Sequence, residues 1–212
     1  MPVLVDHEAR RREVIAVASR LIAAAGLEAV TIRDVAEAAN CSTAIVSHYF
    51  RNKRELLILT YYSSIDVSQA RCDRVLAADC ENLRAYTAEF MALDEERSIE
   101  WKIWLAFWAR AVADPEIAEI QRGCVTRARD AFLGVMQTLD AKGLLVAGLD
   151  LKEEAQRVLA LLMGMAVQVM FDPADWPAKR QQAMIDAELR KLYRPGRIPP
   201  GLMATEAALE RA

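Results

Sequence analysis

TIRDVAEAANCSTAIVSHYFRNKREL, residues 31–56, is the stretch on which the fold turns. It reads as two short helices around a tight turn, followed by the opening of a third. Ala36, Asn40 and Val46 stand at helix-turn-helix spacing. Ala36 is small enough for two helices to cross closely. Asn40 sits where the chain must bend, and Asn tolerates the left-handed conformation that closes a helix. Thr31 with Asp34 fits a capping box, Ser42 can cap the next helix, and Asn52 with Glu55 the one after. Val46 and Phe50, four apart, can anchor the second helix in a small core. Thr43, Ala44, Ile45, Ser47, His48 and Tyr49 are then left facing outward.

Outward from this block, helical signals fill the chain. Residues 7–25 repeat apolar residues at helical spacing (Val14, Ile15, Ala18, Leu21, Ile22) and stop at Gly26. A long helix is expected over 53–77, leading out of the first three. Further helices are expected at 81–93, 97–113, 115–140, 151–172 and 177–193, with Pro115, Pro173 and Pro177 at starts or breaks and Gly143 and Gly148 in a turn. Residues 194–201, RPGRIPPG, read as an extended tail, and 202–211 as a short amphipathic segment. No repeat and no strand pattern is evident. With 212 residues, 54% hydrophobic, and only 8 Gly and 7 Pro, the composition suits an all-α protein with a large core.

The net charge is −3, which argues against a general nucleic-acid coat. Residues 1–54 hold eight Lys/Arg against six Asp/Glu, a net of +2, so the remainder carries −5. A mildly basic head on an acidic body fits one end facing DNA, although a difference this small arises readily by chance. The acidic and basic residues at the start leave no secretory signal, and the run 158–171 is too short to span a bilayer, so a cytoplasmic protein without membrane contact is expected. Four Cys without C-x-x-C spacing and two His make a metal site improbable. No P-loop, G-x-G-x-x-G, G-x-S-x-G or H-E-x-x-H occurs, so neither a catalytic residue nor a cofactor is expected.

The 31–56 block resembles the DNA-binding domain of the TetR family of bacterial transcriptional regulators. The resemblance rests on Thr31-Ile32-Arg33-Asp34-Val35-Ala36, on Ser42, and on His48-Tyr49-Phe50-Arg51-Asn52-Lys53. Ser42 to Phe50 looks most like the betaine-regulator branch, and Asn40 stands where the family usually has Gly. The resemblance implies a three-helix helix-turn-helix head over 1–54, a helical ligand-binding and dimerisation domain over 55–194, and a tail over 195–212. It also implies a homodimeric repressor released from a double-stranded operator by a small-molecule effector, with a quaternary ammonium compound as one option. An all-helical enzyme or small-molecule carrier with an incidental helix-turn-helix is the alternative.

In that reading Thr31, Ser42, Ser47, His48, Tyr49 and Lys53 reach phosphates through hydroxyl, imidazole and ammonium groups. Thr43, Ala44, Ile45 and Ser47 meet base edges, and Arg33 reaches a base or a phosphate. Arg10-Arg11-Arg12 is either a basic arm or an ordinary charged helix start. Trp101, Trp104 and Trp108 share one helical face, which suits an aromatic cage for an organic cation but more often means core. The effector pocket is expected at Trp104, Trp108, Phe132, Met136, Met163 and Phe171. Helix 151–172 is apolar on every side, so a second subunit is expected to cover the side its own domain does not. Ala160, Met163, Gly164 and Val167, with Ala183, Met184 and Ala187 of the next helix, would form that interface.

Overall fold

The computed structural model describes residues 7–203. Ten helices follow one another: α1 (His7–Ala25), α2 (Ile32–Ala38), α3 (Thr43–Tyr49), α4 (Lys53–Ala78), α5 (Leu83–Ala88), α6 (Glu95–Ala111), α7 (Pro115–Ala141), α8 (Leu151–Phe171), α9 (Ala178–Arg190) and α10 (Pro200–Met203). Among the described residues the extended pairing is confined to one isolated bridge, Leu145 with Tyr193. The all-α expectation holds.

The helix ends are where local chemistry places them. Gly26 has φ +82° and closes α1. The Thr31 hydroxyl accepts from the Asp34 amide while Asp34 accepts from the Thr31 amide, the reciprocal capping box at the head of α2. These bonds hold the Asp34 carboxyl below its usual pKa. Among the described residues Asn40 is the non-glycine residue at positive φ, 49°, in the bend between α2 and α3. Ser42 accepts from the Ile45 amide, and Asn52 from the Glu55 amide.

Three boundaries differ from the sequence expectation. α5 is six residues, because Asn82 caps it through the Ala85 amide and the chain turns again after Glu89. α6 begins at Glu95, two residues early, since Asp94 accepts from the Arg97 amide. α9 stops at Arg190 because the residues after it pair elsewhere: Val146 donates to Leu192 O at 2.9 Å and Arg194 to Leu144 O at 3.0 Å. The segment expected to be an extended tail thus continues into α10, where Leu202 is buried. Most of the 202–211 segment lies outside the described residues.

Packing divides the chain into two compact units. The first takes the described residues up to Val67 together with Ile99–Ala118; the second takes Ser68–Ser98 and the chain from Glu119 onward. The division falls inside α4, α6 and α7, so each of these helices belongs partly to both. The first unit's core is built from Val14, Ala18, Ile22, Val35, Val46, Phe50 and Leu56, joined by Tyr61, which stacks on Phe107 at 4.4 Å between centroids. The second unit's core centres on Leu83, Tyr86, Phe132, Met136, Leu139, Leu162 and Leu189.

α8 is longer than its most apolar run: 21 residues, enough by length and composition to cross a bilayer. Seven of its residues, from Ala155 to Val169, are nonetheless buried within the chain, and its first turn is acidic. Both are features of a core helix rather than of one surrounded by lipid.

Candidate nucleic-acid interface

α3 divides cleanly between anchor and surface. Val46 is fully buried, and Phe50, immediately after the helix, is 1% exposed. Thr43, Ala44, Ile45, Ser47 and His48 are exposed, Ile45 at 40%, and Tyr49 is half-buried. A seven-residue helix has little intrinsic stability, so its position depends on this anchor and on the Ser42 cap. The exposed side carries methyl groups, hydroxyls and an imidazole and no acidic residue. It can make apolar contact with thymine methyls and hydrogen bonds to phosphates. Thr31, Arg33 and Ser42 are exposed as well.

Long-range contacts from α1 brace this surface, and periodicity gives no hint of them. His7 Nδ1 lies 3.0 Å from the Tyr49 hydroxyl, 42 residues away. Arg10 of α1 donates to the carbonyls of Ala39 and Asn40 in the bend, at 3.2 and 3.4 Å. Arg10 also pairs with Glu13, and the Arg11 guanidinium lies 5.8 Å from the Phe50 ring centre. Arg10 thus reaches the bend from α1, and Arg11 reaches the residue that follows α3.

Lys53, expected at a phosphate, donates from Nζ to Glu28 O at 2.9 Å. It enters a charged cluster around the start of α4. Arg54 makes two bonds to Asp114, at 2.8 and 3.2 Å, and one to Glu116 at 2.6 Å. Arg110 pairs with Glu28, and its Nε stands 3.7 Å from Asp114. Lys53, Arg54, Arg110 and Glu28 also line a cavity of about 270 Å³ whose apolar walls include Leu27, Leu57, Ile58, Phe107 and Ile117. Helix-turn-helix, α4 and the α6–α7 corner are therefore tied by ion pairs 60 to 82 residues apart in sequence.

The Arg54 guanidinium holds Asp114 down to about 2, below the ordinary carboxylate value of 3.8. A folded value below the unfolded one gives stability that is full above about pH 3.8 and lost as the pH falls through about 2. Asp114→Asn is therefore expected to lower the melting midpoint at pH 7, with a gap to the parent that closes between pH 4 and pH 2. Parallel melts whose gap stays constant over that interval would contradict the assignment.

The residues expected to line a pocket divide between the two units. Trp104, 6% exposed, donates from Nε1 to Ser64 Oγ at 2.9 Å. Trp101 meets Trp104 and Trp108 edge-on, at 4.9 and 5.6 Å between centroids. Trp108 is half-buried, and its Nε1 is buried with no hydrogen-bond partner among the described residues. In the second unit Phe132 and Met136 are fully buried, Phe132 against Tyr86 and Phe90 at 4.9 Å each, and Met163 is half-buried. Phe171 is the correction: it is 78% exposed, at the end of α8. It follows Val167 by four residues and Gly164 by seven, so it shares their face rather than the buried one.

That face is the one expected to meet a partner. Ala160 and Gly164 are exposed and Met163 and Val167 half-buried; on α9 Ala183, Met184 and Ala187 are half-buried. A Cβ added at Gly164 would meet nothing within 4 Å. The four cysteines are free, and no three His, Cys, Asp or Glu among the described residues are grouped to hold a metal ion.

Comparison with known proteins agrees with this geometry. The profile of the bacterial regulatory proteins of the tetR family matches residues 14–59, and that of the BetI-type transcriptional repressor C-terminal domain matches residues 80–194. The HTH-type transcriptional regulator PksA of Bacillus subtilis is 28% identical over 176 residues, 82% of this chain and 84% of that protein. The HTH-type transcriptional regulator BetI of Burkholderia mallei is 36% identical over 126 residues, 58% of this chain and 65% of that protein, so the match spans just under two thirds of BetI. A solved regulator from Saccharomonospora viridis, in complex with choline, shares the fold at a TM-score of 0.81 with 22% identity, covering 89% of this chain and 100% of that one. The chain belongs to the TetR family of bacterial transcriptional regulators and carries a BetI-type repressor C-terminal domain.

Proposed function

We propose that this regulator is a cytoplasmic homodimer that represses by inserting α3 into the major groove at two half-sites of an operator. The observation that carries the proposal is the division of α3, with Val46 and Phe50 buried beneath an exposed Thr43-Ala44-Ile45 and Ser47-His48 surface. Phosphate contacts from Thr31, Ser42, Ser47, His48, Tyr49 and Lys53 set the register, Thr43, Ala44, Ile45 and Ser47 read bases, and Arg33 does either. Two heads suit a pseudo-palindrome, with half-site spacing set by the pairing of α8 and α9. The relatives compared are transcriptional regulators, which gives the enzyme or carrier alternative no support.

The effector in this proposal is a small organic cation. The Trp101–Trp104–Trp108 cluster offers π faces to such a charge, and the unpaired Trp108 N–H offers a bond to a hydroxyl or carbonyl on the same molecule. The choline-bound relative fits this chemistry. Occupancy at α6 would act on the Arg110–Glu28 and Arg54–Asp114 pairs, which begin two residues beyond Trp108 and in the turn that follows. The effector then favours a state in which the heads no longer fit the groove, a shift that requires only different affinities for the two states.

The test is a gel shift with DNA from upstream of the protein's own gene. Specific retardation that is reversed by choline or a related cation is expected; no retardation at low salt would contradict the proposal. Lys53→Ala should weaken binding to all sequences and lower the slope of log affinity against log salt by about one unit. An unchanged slope would remove Lys53 from the phosphate contacts.

A further inference from the structure

The chain has two histidines, and both meet at Tyr49 on the proposed DNA-facing surface. His7 opens α1; His48 is in the last turn of α3. Beyond the 3.0 Å contact of His7 Nδ1 with the Tyr49 hydroxyl, the His7 ring centre is 6.0 Å from that of Tyr49 and 6.1 Å from that of His48, and His48 meets Tyr49 edge-on at 5.3 Å. All three residues are exposed or half-buried, so the cluster faces solvent.

We infer that His7 is a positioning residue for operator binding: it orients Tyr49 toward a backbone phosphate and, when protonated together with His48, makes operator affinity dependent on pH. The inference rests on the DNA-binding reading above. A neutral imidazole can take its bond with Tyr49 in either direction, because the proton sits on one nitrogen or the other. The imidazolium can only donate. Protonation of His7 therefore makes the Tyr49 oxygen the acceptor and frees the phenolic O–H to be donated to a phosphate. Nε2–H becomes a second, charge-assisted donor.

Among the described residues the charged groups around the cluster are of both signs. On α1 the charged neighbours are Glu8, Arg10 and Arg11; Arg10 is tied to Glu13, and Arg11 lies over Phe50. From the turn into α4, Arg51 pairs with Glu55. α3 supplies Tyr49 and His48 and has no acid. Affinity is therefore expected to rise as the pH is lowered and the imidazoles take up protons.

The experiment measures anisotropy of a labelled duplex from upstream of the gene, at pH 7.8 and pH 5.8, at several salt concentrations. For the parent, binding roughly tenfold tighter at pH 5.8 is expected, with a salt slope steeper by about one unit for each ring that gains charge at a phosphate. His7→Gln keeps a neutral hydrogen-bonding side chain and should lose at least half of the pH effect. Tyr49→Phe should lose the part relayed through the hydroxyl while keeping the added salt slope. His7→Gln with His48→Gln should bind equally at both pH values. Melts check that each variant is folded. A parent whose affinity does not change with pH, or a double variant that keeps the parent's dependence, would overturn the inference while leaving DNA binding intact. No binding at either pH would instead overturn the DNA-binding reading beneath it.

Discussion

Gly164→Glu should turn a dimer into monomers and weaken operator binding by on the order of 10² to 10⁴-fold, the advantage of linking two half-site contacts. Gly164 lies on the exposed face of α8 with Ala160, Val167 and Phe171, an apolar strip on a helix whose opposite side is already core. Because a Cβ at this position has open space around it, the single chain can accept a larger side chain. The substitution therefore acts on pairing, where two buried carboxylates would face each other across a two-fold axis. Light scattering reads the mass and a melt reads the fold. A dimer of unchanged mass would undercut the proposed interface.

Phe50→Ala should cost about 3–5 kcal/mol of stability and abolish binding to DNA. Phe50 is 1% exposed, and with Val46 it is the means by which a two-turn helix is held against α1 and α2. The truncation leaves a cavity under the reading surface and removes the ring over which Arg11 lies. Denaturant unfolding measures the loss. A midpoint within experimental error of the parent would mean that the head does not depend on this anchor.

What could be read from the sequence was local. Thr31 with Asp34, Ser42, Asn40 at positive φ and Asn52 each act over two to four residues, and each does what its side chain dictates. The inward and outward sides of α3 followed from Val46 and Phe50 by spacing alone. Asn82 and Asp94 are caps of the same kind, and they set the start of α5 at Leu83 and of α6 at Glu95. Contacts between distant segments were out of reach, because no periodicity encodes them. His7 with Tyr49, Arg10 with the Asn40 bend, and Arg54 with Asp114 each need the folded arrangement before their chemistry is visible. Phe171 shows the limit from the other side. Hydrophobicity placed it in a pocket, whereas its position seven residues after Gly164 puts it on the exposed face.

The most direct test is the mass of the protein–DNA complex on a short duplex from upstream of the gene, measured with unrelated DNA in excess. The proposed arrangement gives a specific complex of two chains per duplex that falls apart when the effector is added. A complex of one chain per duplex, or one that unrelated DNA displaces as readily as the duplex itself, would contradict it.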